Sequence, residues 1–150
     1  MSDVAIREAR PEDVDWLIEQ TKAFSDFNGT AYPLFDDEAH ARASLLGLMS
    51  QHFMRLAVRG DERLGFVAGY HMPHPFNPKL VILCEVMWWV APEHRNSRAG
   101  LMLLNAYTEW GKAHANWVTF CLQSNSPVKE ETLLKRGYHR HETSYLIEVV

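Results

Sequence analysis

The stretch that decides the fold runs from Glu85 to Leu104 and reads EVMWWVAPEHRNSRAGLMLL. It begins inside a nearly continuous apolar run, Leu80–Val90, which predicts a central strand buried on both faces. The polar segment Ala91–Ser97 then predicts a tight turn, and a helix is expected from about Arg98 to His114. A buried strand that passes through a short turn directly into a helix is typical of α/β proteins.

The turn and the start of that helix carry groups that bind anions. The first turn of a helix holds backbone N–H groups without intrahelical partners and a partial positive charge. Arg95 and Arg98 add two guanidinium groups, and Ala99 and Gly100 leave the backbone open to a ligand. This pattern favours a phosphate or pyrophosphate site, although a helix that begins with solvated arginines would look the same. Neither a Walker loop nor a G-x-G-x-x-G motif is present, which argues against an NTPase or a dinucleotide enzyme.

Outside this stretch the chain alternates between strand and helix patterns. Strands are predicted at Asp3–Glu8, Phe53–Arg59, Leu64–Met72, Trp117–Gln123, Tyr138–Arg140 and Ser144–Val149. Further helices are predicted from Pro11 to about Phe24, from Asp36 or Asp37 to about Met49, and from Ser126-Pro127 to Gly137, with loops at Phe27–Phe35 and His71–Pro78. No linker or repeat interrupts residues 1–150. The expected architecture is a single α/β domain, with a mixed, mostly antiparallel sheet of six to seven strands flanked by about four helices.

Composition excludes several classes of protein. The 150 residues are 47% hydrophobic, enough to bury a core, and therefore not those of a disordered chain. The net charge of −4 argues against nucleic-acid binding, and no apolar run approaches the ~20 residues that cross a bilayer. The N-terminal residues do not form a secretion signal. Cys84 and Cys121 have apolar neighbours and are expected to be buried thiols of a cytoplasmic protein.

The chain resembles the GNAT family of N-acetyltransferases in the order of its elements and in three local segments. Val90–Gly100 is similar to the family's acyl-CoA pyrophosphate loop, (Arg/Gln)-x-x-Gly-x-(Gly/Ala), and Leu101–Leu104 is similar to the start of the helix that follows. Leu133–Tyr138 looks like the family's closing tyrosine-x-lysine-x-Gly-Phe segment. The Arg-x-x-Arg-x-Gly form of the loop looks similar to divergent members that phages often encode.

The resemblance implies an acyltransferase of EC class 2.3.1 that uses acetyl-CoA as co-substrate and needs no metal. The acetyl group would pass directly from the thioester to a primary amine of a small molecule or protein. The implied cofactor-binding residues are Trp89, Val90, Arg95, Asn96, Ser97, Arg98, Ala99, Gly100 and Asn125. The alternative is a catalytically weak CoA-binding protein of the same fold that acts through protein–protein contact. A homodimer is also possible, because family members often dimerise.

Two residues depart from the family pattern. Arg98 stands where the first glycine of the loop is usual, but its backbone N–H remains available, so CoA binding is expected to survive. Leu133 replaces a tyrosine that protonates the departing thiolate in many relatives. The acid for this step is therefore unassigned, with water, Ser124 or Ser126 as candidates.

Glu85 is the candidate catalytic base. A primary amine with a pKa near ~10 must lose a proton before it attacks the thioester. Glu85 interrupts an apolar strand, so burial is expected to raise the pKa of its carboxyl and favour proton acceptance, directly or through a water. Strand alternation places Glu85 on the same face as Met87 and Trp89. The alternative is a structural carboxylate paired with an arginine.

The resemblance implies that the acceptor amine binds beside the segment Asp26–Glu38, because the first two helices of the family usually form part of the acceptor wall. Four carboxylates and three aromatic rings lie there: Asp26, Phe27, Tyr32, Phe35, Asp36, Asp37 and Glu38. Such a mixture suits a cationic amine, although Asp36 and Asp37 also suit the N-terminus of a helix. No metal is expected, because neither His71-x-x-His74 nor His139-x-His141 is completed by further ligands.

Overall fold

A computed structural model describes residues 3–28 and 33–149, in which five strands form one sheet in the order β1-β2-β3-β4-β5. The strands are β1 (Ala5–Glu8), β2 (Phe53–Arg59), β3 (Glu62–His74), β4 (Asn77–Val90) and β5 (Trp117–Thr119); the helices are α1 (Val14–Asn28), α2 (Glu38–Gln51), α3 (Ala99–His114) and α4 (Glu131–Leu134). Strands β1 to β4 are antiparallel neighbours, whereas β5 runs parallel to β4. The predicted α/β fold, with a mixed and mostly antiparallel sheet, is confirmed.

Helices cover both faces of the sheet, as the apolar composition of β4 predicts. Helices α1 and α2 pack on one face around Leu17, Leu45, Leu48, Phe66 and Trp89. Helix α3 packs on the other face around Phe53, Val67, Leu83, Leu103 and Tyr107. Each large apolar side chain buried in this way contributes about 1.5–3 kcal/mol to folding. Among the described residues, no helix is both long and apolar enough to cross a bilayer.

The hairpin between β3 and β4 is longer than predicted. The expected loop at His71–Pro78 is wrong, because β3 continues to His74 and β4 begins at Asn77. Strand β2 pairs with β3 only as far as Gly69, so the end of β3 is open on that side. A proline is tolerated on such an open edge because it need not donate to a neighbouring strand, and Pro73 accordingly pairs with Val81 of β4.

The C-terminal third differs from the predicted pattern more than the rest. Strand β5 stops at Thr119 rather than at Gln123, and neither Tyr138–Arg140 nor Ser144–Val149 joins the described sheet. The described sheet therefore has five strands instead of six to seven. Ser126 does not begin α4; its hydroxyl accepts a hydrogen bond from the amide of Val128 (3.2 Å) in a local turn.

Helix α4 ends at Leu134 rather than at Gly137, which lies in the turn that follows. Gly137 is expected to be sensitive to substitution although nothing crowds it. Its φ is +92°, and no atom lies within 4 Å of an added Cβ. A Gly137→Ala change is expected to lower the free energy of unfolding by about 1 kcal/mol, because alanine is strained in this region. Gly47→Ala is the matched control, since Gly47 lies within α2 and is equally uncrowded. There alanine should raise stability by about 0.5–1 kcal/mol in urea unfolding. Stability changes of the same sign at Gly137 and Gly47 would contradict the left-handed conformation of Gly137.

Candidate functional site

Strands β4 and β5 pair over three residues and then part. Their pairing runs from Ile82 opposite Trp117 to Cys84 opposite Thr119. Beyond Cys84, β4 continues to Val90 with only β3 beside it in the described sheet. One edge of β4 therefore presents main-chain N–H and C=O groups to an incoming ligand, as an open sheet edge does for an extended peptide.

The ladder between β3 and β4 shows which amides face that open edge. The Ala91 amide donates to the Leu64 carbonyl (2.9 Å), toward the β3 side. Amides alternate in direction along an antiparallel strand, so the Trp89 amide also points to β3, whereas those of Trp88 and Val90 point to the open edge. The prediction for Val90 is consistent with this geometry. The Trp89 amide is not available there, and the Trp88 amide takes its place. The sequence could not show this, because it does not reveal which amides of a strand face which neighbour.

The segment between β4 and α3 is a compact turn organised by Ser97. The Ser97 hydroxyl donates to the His94 carbonyl (2.6 Å) and accepts from the amide of Ala99 (3.2 Å). Asn96 is exposed in the same turn, and Ala99 is buried. Ser97 and Ala99 thus shape the backbone of the turn, while Asn96 remains on its surface.

The start of α3 presents free donors next to the open edge of β4. In the described part of the chain, the amides of Arg98, Gly100 and Leu101 donate to no other group. Arg98 is exposed and forms no ion pair with another described residue. The indole of Trp88 donates to the Gly100 carbonyl (3.0 Å) and so fixes the helix start against β4. Free amides and an unpaired guanidinium at a helix N-terminus fit a pyrophosphate.

Arg95 is held against the edge of β4 rather than extended into solvent. Its Nε donates to the Val90 carbonyl (3.1 Å), and its guanidinium lies 4.5 Å from the centre of the Trp89 ring. The ring of Phe27 lies 5.7 Å away on the same side. Contact of Arg95 with a phosphate stays a prediction. The structure shows it joining the turn, β4 and the end of α1.

A β-bulge sets the direction of Glu85. Ala68 pairs with Met87, but the next residue of β3, Gly69, pairs with Glu85, so Val86 is an extra residue in β4. Glu85 therefore shares the face of Gly69, where an added Cβ would meet the Tyr107 ring at 2.8 Å. The prediction that Glu85 lies on the face of Met87 and Trp89 is wrong, because the bulge reverses the alternation. The carboxylate faces α3.

The surroundings of Glu85 suit a group that exchanges protons near neutrality. Burial raises the pKa of Glu85 to about 7, and the backbone of Cys121 opposes part of this rise. No ion pair joins Glu85 to an arginine among the described residues. The alternative role, a structural carboxylate paired with an arginine, therefore finds no arginine there. The neighbouring Tyr107 hydroxyl donates to the Thr119 carbonyl (2.7 Å), and burial raises the pKa of Tyr107 well above its usual range. Glu85 lies immediately beyond the last β4–β5 pair, at the point where the strands part.

Residues beyond β5 are more open than the sequence suggested. Cys84 and Cys121 are both exposed, so the prediction of two buried thiols is wrong. Cys84 lies on β4 opposite Thr119, and Cys121 lies two residues past the end of β5. Asn125 is exposed in the turn that follows, and its place beside a pantetheine arm stays a prediction. Leu133 is buried with 8% of its surface exposed, so no hydroxyl replaces the missing tyrosine at that position.

On the other face of the sheet, a cavity of about 330 Å³ lies between α1, α2 and strands β3 and β4. It extends from Asp36 and Asp37 at its rim to Val86 and Met87 of the bulge. Asp37 caps α2 by accepting from the amide of His40 (3.0 Å), which confirms the capping role that the sequence left open for it. The predicted acceptor residue Tyr32 lies outside the described residues. We name this cavity the α2 pocket.

Comparisons with known proteins connect this geometry to a family. The model of the acetyltransferase (GNAT) family matches residues 13–130. A search of curated proteins finds no match.

Three solved structures illustrate the likeness of fold. A ribosomal-protein-alanine N-acetyltransferase from Brucella melitensis biovar Abortus 2308 has a TM-score of 0.74 and 16% identity, covering 98% of both chains. A predicted acetyltransferase with acetyl-CoA from Clostridium acetobutylicum has a TM-score of 0.73 and 12% identity, covering 97% of this chain and 96% of that one. An aminoglycoside acetyltransferase from an uncultured soil metagenomic sample, in complex with sisomicin, has a TM-score of 0.71 and 10% identity, covering 98% and 96%. At these identities the likeness concerns the fold alone.

Proposed function

Because the family match at residues 13–130 spans more than half of the chain, the protein belongs to the acetyltransferase (GNAT) family, and we propose that it acetylates a primary amine. Acetyl-CoA is the co-substrate of this family and supplies an activated acetyl thioester when bound. The amine nitrogen forms a bond to the thioester carbonyl carbon and the carbon–sulfur bond breaks. The amine loses one proton, and the departing thiolate gains one. The observation that carries the proposal is the open edge of β4 next to the free amides of α3.

The start of α3 and the open edge of β4 would bind different parts of the coenzyme. The amides of Gly100 and Leu101 and the guanidinium of Arg98 would hold the pyrophosphate, because a helix N-terminus favours anions. The amides of Trp88 and Val90 would pair with the extended pantetheine arm or polarise the thioester carbonyl. Arg95 would act as a positioning residue, because it fixes the Val90 carbonyl at the same edge.

Glu85 is the proposed proton acceptor. Its carboxylate faces α3, whereas the α2 pocket lies on the opposite face of β4. A proton from an amine in that pocket therefore reaches Glu85 through water at the open edge of the strand, where β5 no longer covers it. A carboxyl whose pKa is about 7 is deprotonated often enough to accept this proton at neutral pH. Water is the proposed donor to the thiolate, since Leu133 offers no hydroxyl.

Binding of the coenzyme can be tested without knowledge of the acceptor. Acetyl-CoA at a hundred times its Kd should stabilise the protein by about 2.7 kcal/mol, visible as a rise in melting temperature. Arg98→Ala is expected to weaken binding at least about tenfold, because a charge-assisted hydrogen bond to phosphate contributes about 1.5–3 kcal/mol. Lys112→Ala, which removes the same charge from the far end of α3, should leave binding unchanged. Equal binding of acetyl-CoA by the Arg98 variant and the wild type would show that the pyrophosphate binds elsewhere.

The leucine at position 133, which has no hydroxyl to protonate the thiolate, favours a second candidate function, in which the protein binds CoA but transfers acetyl slowly and acts through protein contacts. A melting shift with acetyl-CoA but no release of free thiol across a panel of amines would support this second function. Thiol release that depends on an added amine would exclude it.

A further inference from the structure

We propose that the α2 pocket selects amines carried on an apolar body, such as alkylamines and arylalkylamines, over polycationic amino sugars. The inference rests on the proposed function and names the acceptor class. The floor of the pocket is apolar and buried, formed by Leu45, Leu48, Phe66, Ala68 and, partly buried, Met87. Neither lysine nor arginine lines the pocket in the described part of the chain.

Size is the first argument for a small acceptor. The volume of about 330 Å³ corresponds to about eleven molecules of liquid water at ~30 Å³ each. At the packing density of protein interiors, this space holds a compact amine with a single ring or a chain of moderate length. A multi-ring amino sugar would leave most of its surface outside.

The polarity of the walls is the second argument. The hydroxyl of Thr21 already donates to the Leu17 carbonyl (2.8 Å), and one carboxylate oxygen of Asp37 already accepts from the His40 amide. The other polar residues of the lining, Asp36, His40, Ser44 and Tyr70, are exposed. The hydroxyls of a sugar seated on the apolar floor would lose water without a partner there, which costs free energy for each group. An alkyl or aryl body has no such groups and gains from burial against Leu45 and Phe66.

Charge at the rim draws an amine toward the pocket, and the apolar floor then orients it. The carboxylates of Asp36 and Asp37 lie at the rim and attract an ammonium group from solution, but two carboxylates cannot pair with all charges of a polycation. At its other end the pocket reaches Val86, the bulged residue next to Glu85 on β4. An amine seated with its apolar body on Leu45 and Leu48 thus places its nitrogen at the bulge, where the edge of β4 is open.

A chain-length series tests the selectivity. Acetylation of n-alkylamines from propylamine to octylamine should show kcat/KM rising about fourfold with each added methylene until the pocket is filled, as burial of a CH₂ group implies. Spermidine and sisomicin should be poorer substrates than hexylamine by at least tenfold. The inference would be overturned if kcat/KM did not change with chain length, or if an amino sugar had a higher kcat/KM than hexylamine. A peptide amine acetylated faster than every alkylamine would also overturn it.

A bulky substitution at the wall gives a second test that does not depend on turnover. Ser44 lines the pocket from the exposed side of α2, so Ser44→Trp should fill it without disturbing the core. Ser50→Trp is the matched control, exposed on the same helix but outside the pocket. Calorimetric binding of n-hexylamine to the CoA-bound protein should weaken at least tenfold in Ser44→Trp and remain unchanged in Ser50→Trp. The melting shift with acetyl-CoA should stay the same in both.

These readouts separate the two proposals. If no amine is acetylated but n-hexylamine binds and Ser44→Trp abolishes this binding, the transfer reaction fails while the ligand class of the pocket is supported. If acetyl transfer occurs and Ser44→Trp leaves both binding and kcat/KM for n-hexylamine unchanged, the inference about the α2 pocket is wrong and the proposed function stands.

Discussion

Replacing Glu85 with glutamine is expected to lower acetyl transfer at pH 7 by about 10²-fold or more, the usual effect of removing a positioned general base. Binding of acetyl-CoA should change little, because Glu85 lies on the α3 face of β4 and contacts none of the proposed pyrophosphate donors. The measurement is thiol release under saturating acetyl-CoA together with the melting shift that acetyl-CoA produces. Glu109→Gln, an exposed carboxylate on α3, is the control and should behave as the wild type.

The pH dependence separates a catalytic role from a structural one. In the wild type, kcat/KM should rise with pH through about 7 as the Glu85 carboxyl loses its proton. Glu85→Gln should show no levelling-off near pH 7; its kcat/KM should instead climb steadily with the fraction of free amine, so its deficit shrinks toward pH ~10. If the kcat/KM of the variant also levels off above pH 7, some other group is the base.

Glu85→Gln should raise the free energy of unfolding while it lowers activity. The pKa of Glu85 is raised from 4.5 to about 7 by folding, so its contribution to stability is fully present below pH 4.5 and is lost as the pH rises through 7. Glutamine stays neutral and avoids this loss. Glu85→Gln is therefore expected to raise the free energy of unfolding at pH 8 by about 3 kcal/mol, and to leave it unchanged at pH 4. A variant less stable than the wild type at pH 8 would show that the charged carboxylate is stabilised by its surroundings.

The sequence predicted the parts of this site that depend on local pattern. The strand at Leu80–Val90, the turn after it and the helix stripe of α3 are each encoded within a few residues, and the structure confirms these elements. The expectation that the strand is buried on both faces is wrong, because only Leu83 and Trp89 of β4 are buried. The class of fold follows because such segments pack in few ways. The same local reasoning identified Glu85, since a lone carboxylate in an apolar strand is conspicuous.

What sequence reasoning missed depends on contacts between distant residues. The bulge at Val86 arises from the register of β4 against β3, and no residue type marks it, so the face of Glu85 was predicted wrongly. The α2 pocket joins Ser44 of α2 to Tyr70 of β3 and Val86 of β4, which no motif connects. The length of β5 also escaped prediction, because apolar residues up to Leu122 continue the strand pattern beyond the last pair.

The largest loss of stability is expected from Asp13→Ala. Asp13 has 1% of its surface exposed and joins three elements of the fold. It accepts from Arg7 of β1 (2.8 Å), from Arg63 of β3 (2.8 Å) and from the Arg10 amide (2.8 Å) at the turn before α1. Removing a buried carboxylate leaves both guanidinium groups without their partner, which costs about 3–5 kcal/mol.

A second ion pair near the start of α1 provides the control. Asp15 contacts Arg42 of α2 at the same distance, 2.8 Å, but its side chain is 85% exposed. Asp15→Ala should therefore cost less than about 1 kcal/mol, since solvent screens an exposed pair. Urea unfolding measures the free energy of unfolding of both variants, whose ion pairs have the same distance but differ in burial. Equal losses of this free energy would show that the buried network contributes no more than a surface pair.

Acid unfolding provides an independent check on Asp13. Burial alone raises the pKa of this carboxyl, but hydrogen bonds from Arg7, Arg63 and the Arg10 amide outweigh burial and hold the pKa well below its usual value of 3.8. The contribution of Asp13 is therefore present above about pH 4 and is lost as the pH falls below it. The wild type should lose stability steeply below pH 4, whereas Asp13→Ala, which has already lost this contribution, should show a shallower dependence. Parallel curves for the two proteins would place the acid-sensitive carboxylates elsewhere in the fold.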